Sequence, residues 1–158
     1  MPTLHLMVGL PGSGKTTYAR EYAKEWNALV LTPDVWHTAL FGDDFSGADS
    51  SGEHDARHSR IEELMWKTAG DLLAMGVNVV LDFGFWAKSE REGLRRWAES
   101  LGAGCRVHYM DVPLEEIFAR LEKRNAENDG DVFRVAPEDI QKWAALFEPP
   151  DQDELAWQ

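Results

Sequence analysis

The stretch GLPGSGKT at residues 9–16 constrains this chain more than any other feature. It fits the pattern G-x-x-x-x-G-K-[ST] and lies between segments of two different periodicities. Upstream, TLHLMV is an apolar run of strand length. Downstream, Tyr18, Ala19, Tyr22, Ala23 and Trp26 recur at helical spacing. A strand, a glycine-rich loop and a helix in that order gather inward-pointing backbone N–H groups beside the positive end of a helix dipole, a concavity that fits phosphate oxygens. Its residues are Gly9, Pro11, Gly12, Ser13, Gly14, Lys15, Thr16 and Thr17. Lys15 is placed to reach the β- and γ-phosphates of a nucleoside triphosphate, and Thr16 to offer its hydroxyl to magnesium. The alternative is a glycine-rich turn that holds no ligand.

The alternation continues along the chain. Strands are expected at 3–8, 28–32, 77–82 and 104–110, and helices at 15–26, 34–41, 54–75, 89–101, 113–126 and 137–147. The inward stripes are Ile61, Leu64, Met65, Leu72 and Met75 on the long helix and Leu94, Trp97, Ala98 and Leu101 on the next. Leu114, Ile117, Phe118 and Leu121 form the third stripe, and Ile140, Trp143, Ala144 and Phe147 the last. Ser89 and Glu92 stand in capping-box register, and Pro113 and Pro137 occupy first helical positions. Strands alternating with helices imply an α/β fold, a parallel sheet of four to five strands flanked by helices in three layers. Ligands in such sheets bind beyond the carboxyl ends of the strands. The chemistry is therefore sought just after residues 8, 32, 82 and 110.

A length of 158 residues suits one domain, 1–158, and an apolar fraction of 44% with seven tryptophans suffices for its core. The excess of 28 acidic over 16 basic residues gives a net charge of −12, which repels a polyphosphate backbone and makes a nucleic-acid partner unexpected. No segment is long and apolar enough to cross a membrane. Residues 1–8 are too short and too poor in basic residues for a secretory signal. The single Cys105 sits in an apolar run as a core thiol, and a cytoplasmic location is expected.

Three positions after the strands carry chemistry. Asp34, in TPDVWH, either accepts the proton of an attacking hydroxyl or caps the short helix that follows. Asp82, ending VVLD, either holds magnesium or satisfies backbone donors of the next turn. Arg120 and Arg124, four apart on one helix face, suit a γ-phosphate or are surface arginines. The polar segment NAENDGDVFR after them has the composition of a moving lid, about 120–136, and Arg134 within it is a weaker phosphate candidate.

Together these residues resemble the P-loop kinases of the polynucleotide kinase type and their relatives, the chloramphenicol phosphotransferases and zeta-toxin-like kinases. The shared features are GxPGSGKTT with an Ala-Arg-Glu helix, an Asp after the second strand, an Asp ending the third, DVP at 111–113 and arginines at the offsets of Arg120 and Arg124. The similarity runs from residue 4 to about 147. It implies the P-loop NTPase fold with a short helical lid. By position it makes Asp34 the general base, Lys15, Thr16 and Asp82 the phosphate and magnesium ligands, and the two arginines lid contacts to ATP, with Arg124 acting in catalysis. Two departures concern the acceptor. His37 stands where the polynucleotide enzymes place an arginine for the substrate phosphate, and FGFW after Asp82 is apolar where theirs is polar.

The expected activity is transfer of the γ-phosphate of Mg-ATP to a hydroxyl of a small molecule by a monomer or homodimer. Its rivals are a nucleotide or polynucleotide 5′-hydroxyl kinase and a regulatory ATPase without an acceptor. Asp34, Trp36, His37 and Trp86 are the acceptor-side candidates; either tryptophan stacks on a sugar or base, or fills core. Segment 42–55 carries five carboxylates and reads as a solvated loop rather than a lure for a cationic acceptor. His54 and His58 stand at i, i+4, but with no third ligand evident they read as a polar helix face. Arg57, Arg60 and Arg91 are unranked candidates for an acidic acceptor. The acidic tail 148–158 is open between a fifth strand, packing through Trp157 and mobility.

Overall fold

A computed structural model describes residues 1–45, 52–127 and 133–158. The strands β1 (Thr3–Val8), β2 (Ala28–Leu31), β3 (Asn78–Gly84) and β4 (Gly104–Tyr109) form one parallel sheet in the order β2-β3-β1-β4. Around it lie α1 (Lys15–Tyr22), α2 (Pro33–Phe41), α3 (Glu53–Ala74), α4 (Lys88–Ser100), α5 (Leu114–Glu127), α6 (Pro137–Leu146) and the single turn α7 (Gln152–Leu155). The two-residue side-chain period sorts the central strands between the faces. Leu4, Leu6, Val8, Val79 and Leu81 meet Ile61, Met65, Ala69 and Leu73 of α3 and Leu94 and Ala98 of α4. Met7 and Val80 meet Ala19 of α1. A third cluster, Leu10, Ile117, Leu121, Val135 and Ile140, packs α5 and α6 over the glycine-rich loop. The region 128–132 of the expected lid, and 46–51 of the acidic loop, lie outside the described residues.

Several boundaries and faces differ from the sequence reading. Helix α1 ends at Tyr22, and the chain continues in turns to Asn27, whose left-handed conformation, φ 48°, lets Ala28 N–H close back on Ala23 O at 2.9 Å. On α3 the buried face follows Ile61, Met65, Ala69 and Leu73, and Leu64 and Met75 are exposed. An unbroken i+4 series fits the sheet more closely, with Ala69 as its small member. Leu101 and Leu114, at helix ends, are likewise exposed. The Ser89–Glu92 capping box does not form, since α4 already starts at Lys88 after Ala87. A capping box forms instead at Asp151 and Glu154 on α7, with Glu154 N–H donating to Asp151 Oδ1 at 2.9 Å and Asp151 N–H to Glu154 Oε2 at 3.0 Å.

Strand β3 also runs two residues past Asp82. A register shift between Leu6 and Val8 brings Gly84 opposite Val8, and Gly9 N–H donates to Gly84 O at 3.1 Å. The tail neither adds a strand nor trails free. Glu154 binds the buried Arg91, and Trp157 packs against the main core with Arg95 over its ring.

Candidate active site

The glycine-rich loop, the end of β2 and the end of β3 open into one cavity of about 1240 Å³. The order β2-β3-β1-β4 puts β3 between the other two, so Asp82 stands between the loop after β1 and Asp34 after β2. Gly12 and Gly14 take left-handed conformations, φ 81° and 93°. A Cβ on Gly12 would lie 2.9 Å from Leu121 Cγ, so only glycine lets α5 cover the loop this closely. All eight sequence-predicted loop residues line the cavity.

Lys15 donates to Leu10 O at 3.0 Å. Burial lowers the pKa of its ammonium group, and the charges of Asp82 and Asp34 oppose that shift. The Thr16 hydroxyl donates to Asp82 Oδ2 at 2.5 Å, and Thr32 donates to the same oxygen at 3.1 Å. Asp82 Oδ1 and Ser13 Oγ are buried with no hydrogen-bond partner among the described residues. A buried carboxylate oxygen left unsatisfied beside a threonine hydroxyl and a lysine matches the hard oxygen set a magnesium–phosphate ion takes.

Asp34 heads α2 at its first turn. Its side chain lines the cavity and is about half exposed. Burial raises its pKa, and the charges of His58 and Lys15 pull against that rise. The Asp34 side chain makes no N-cap hydrogen bond; Thr32 is the N-cap residue and provides none either. Asp34 stands in the first turn of α2, one residue inside Pro33 and two after the N-cap. His58 Nε2 is 3.3 Å from Glu62 and 3.8 Å from Asp34. Burial alone would lower the pKa of this imidazole, but the hydrogen bond to Glu62 and the charge of Asp34 outweigh it and leave the pKa raised.

Arg120 and Arg124 line the cavity from α5. Arg120 donates to Glu116 at 2.6 Å and approaches Gly14, and Arg124 donates to Phe133 O at 3.3 Å. Trp86 also lines it, tilted against Trp143 at 5.7 Å between centroids.

Four acceptor-side candidates turn away. Trp36 lies outside the cavity on the exposed face of α2. His37 is fully buried beneath α2, its Nδ1 at 3.1 Å from His58 Nδ1 and its Nε2 at 3.0 Å from Asp44 Oδ2. A residue three after Asp34 faces the α3 side of α2, which is occupied by histidines here. Arg57 is engaged by Asp44 and Glu53, and Arg91 by Glu154 and Phe85 O, so neither reaches the cavity. Arg60 and Arg134 also lie outside its wall.

The sequence reading missed Thr32, although the strand-end rule points at it, and the cavity wall of Phe45, Asp55, Glu62, Glu90 and Phe133. The acids of that wall sit on helix faces whose pattern is that of ordinary solvated surface.

This fold is that of a P-loop protein related to the small P-loop kinases. Residues 4–150 match the family described as AAA domain, and the chain belongs to it. A structure of the Pnkp1/Rnl/Hen1 RNA repair complex matches with a TM-score of 0.72 at 24% identity, over 92% of this chain and 43% of that one. Kti12 of Chaetomium thermophilum, in complex with ADP-AlF3, matches at 0.67 and 20%, over 94% and 81%. A gluconokinase from Sinorhizobium meliloti matches at 0.60 and 16%, over 96% and 77%. The chain thus spans less than half of the RNA-repair chain it resembles. Comparison with curated protein sequences finds no match. Among the described residues no helix is long and apolar enough to cross a membrane.

Proposed function

We propose that this chain is a kinase that transfers the γ-phosphoryl group of Mg-ATP to a hydroxyl of a small acceptor. The observation that carries the reading is that Asp34 shares one cavity with Lys15, Thr16 and Asp82. Backbone N–H groups of residues 12–16 and the α1 dipole would hold the β- and γ-phosphates, with Lys15 between them. Thr16 and Asp82 Oδ1 would hold magnesium, whose charge offsets that of the phosphates. Asp34 would orient the acceptor hydroxyl and take its proton as the new oxygen–phosphorus bond forms. The bond from the γ-phosphorus to the β–γ bridging oxygen breaks and ADP leaves. Arg120 and Arg124 would face the charge that spreads over the transferring group.

On the acceptor side Asp55, Glu62 and Glu90 stand among aromatic rings, and burial followed by the charge of Glu62 raises the Glu90 pKa. Such a wall disfavours a phosphate-bearing acceptor and speaks against the polynucleotide 5′-hydroxyl reading. Asp34→Asn is expected to keep ATP binding and slow acceptor-dependent ADP release about a hundredfold or more. A panel of sugars, aminoglycosides, nucleosides, amino alcohols and a 5′-hydroxyl oligonucleotide supplies the acceptors. Near-normal turnover in the variant with its acceptor removes Asp34 as base, and phosphorylation of the oligonucleotide alone decides for the rival.

A further inference from the structure

We propose that His37, His54 and His58 form a binding site for a divalent transition-metal ion of the zinc class, built from none of the residues assigned to magnesium. His37 comes from α2 and the other two from adjacent turns of α3. Each offers a ring nitrogen within 4.8 Å of those of the other two.

Each imidazole presents one nitrogen to a carboxylate. His37 Nε2 lies 2.8 Å from Asp44 Oδ1, His54 Nδ1 lies 2.5 Å from the same oxygen, and His58 Nε2 lies 3.3 Å from Glu62 Oε1. A carboxylate on the outer nitrogen is the arrangement by which proteins fix a ligating histidine's tautomer and raise its basicity. It leaves His37 Nδ1, His58 Nδ1 and His54 Nε2 as the inner nitrogens. The first two are 3.1 Å apart, close to the separation of about 3.3 Å that two nitrogens take on one tetrahedral zinc.

The surroundings suit a metal. His37 is fully buried and His54 nearly so, with Phe133 edge-on to both rings and Phe45 edge-on to His54. An apolar shell of this kind limits water. Three imidazoles favour zinc, nickel or copper over magnesium, which prefers oxygen. Asp44 is held in place by Arg57 Nη1 at 3.1 Å. His54 and His58 line the cavity and His37 does not, so an ion can reach the cluster from the cavity. An ion here ties α2, which carries Asp34, to α3.

The test uses the full chain, stripped with chelator and desalted without nucleotide or magnesium, and titrated with zinc and cobalt(II). The expected result is one zinc bound per chain at micromolar affinity or tighter, a melting temperature that rises with zinc, and visible cobalt bands of a low-symmetry four-coordinate site. His54→Gln and His58→Gln should each weaken zinc binding about 100-fold or more, and Glu62→Gln about 10- to 100-fold through the outer nitrogen of His58. His54→Gln sits at the cavity edge, and its fold is checked by circular dichroism, so the test does not depend on a variant of the buried His37. Asp82→Asn should leave zinc affinity unchanged. Wild-type binding weaker than about 100 µM, or zinc affinity in folded His54→Gln or His58→Gln equal to that of the native chain, overturns the proposal.

Discussion

The Thr16 hydroxyl meets Asp82 Oδ2 at 2.5 Å, joining the glycine-rich loop to the central strand β3 across 66 residues of sequence. The contact occupies one carboxylate oxygen and leaves Oδ1 buried and unsatisfied. Asp82→Asn removes the charge while an amide of the same shape can still face Thr16. The expected outcome is unchanged nucleotide affinity in chelator and loss of most of the gain that magnesium gives the native protein, about tenfold or more for a charge-assisted ligand. Calorimetric titration of ADP with and without magnesium reads both values. An equal magnesium gain in the variant removes Asp82 from the metal site.

Gly12 supports α5 in a way that any side chain would disturb. Its φ of 81° costs an L-residue about 1 to 2 kcal/mol, and a Cβ would press on Leu121 at 2.9 Å. Gly12→Ala should therefore lower stability and weaken nucleotide binding together. Adding Leu121→Ala relieves the collision but not the backbone strain, and it opens a cavity of its own. Stability measured by urea denaturation should thus not return to the native value in the double variant, whereas nucleotide affinity should partly recover.

The buried Arg91–Glu154 pair anchors the tail. Arg91 Nε donates to Glu154 Oε1 at 2.6 Å and Nη2 to Oε2 at 3.2 Å, while Nη1 holds Phe85 O at 2.9 Å. That last bond steadies a phenylalanine in the left-handed region, φ 40°, at the turn after β3. Glu154→Ala leaves a buried guanidinium without its carboxylate and should cost about 3 to 5 kcal/mol. Arg91→Met with Glu154→Leu should recover much of that loss. Equal stability of Glu154→Ala and the native chain in urea would show that water replaces the carboxylate.

The glycine-rich-loop side of the cavity was legible because its features are local. A strand, a loop of fixed glycines and a helix follow one another, and Asp34 and Asp82 come at strand ends where ligands gather. The opposite wall of the cavity was not legible, because it is built from contacts between elements. His37 read as substrate-facing by its offset from Asp34, yet α2 packs that face against α3. The same packing supplies the third histidine whose absence made His54 and His58 look like plain helix surface. Arg91 and Glu154 are 63 residues apart, and no periodicity announces their pairing. The stripe on α3 was misread at Leu64 and Met75 because each stands three residues after an apolar one, Ile61 and Leu72, which fits the helical period as well, and only packing against the sheet chooses between them.

A pair of histidines on the opposite face of the sheet makes stability depend on pH. His5 Nδ1 and His108 Nε2 are 2.9 Å apart, on neighbouring strands β1 and β4, and Trp26 stacks on both rings. Burial, then each other's charge and that of Arg106, brings His5 down from 6.5 to about 4. Burial and Arg106 bring His108 down to about 4 as well. Between those values the unfolded chain binds protons that the folded chain refuses, so stability falls as pH drops from about 6.5 and the loss is complete below about 4. His108→Gln keeps a hydrogen-bonding partner for His5 but removes one titrating group and its repulsion. The unfolding free energy from urea titrations at pH 7.5, 6, 5 and 4.5 should fall less steeply in the variant than in the native chain. Parallel curves for the two proteins would assign the acid sensitivity to other groups.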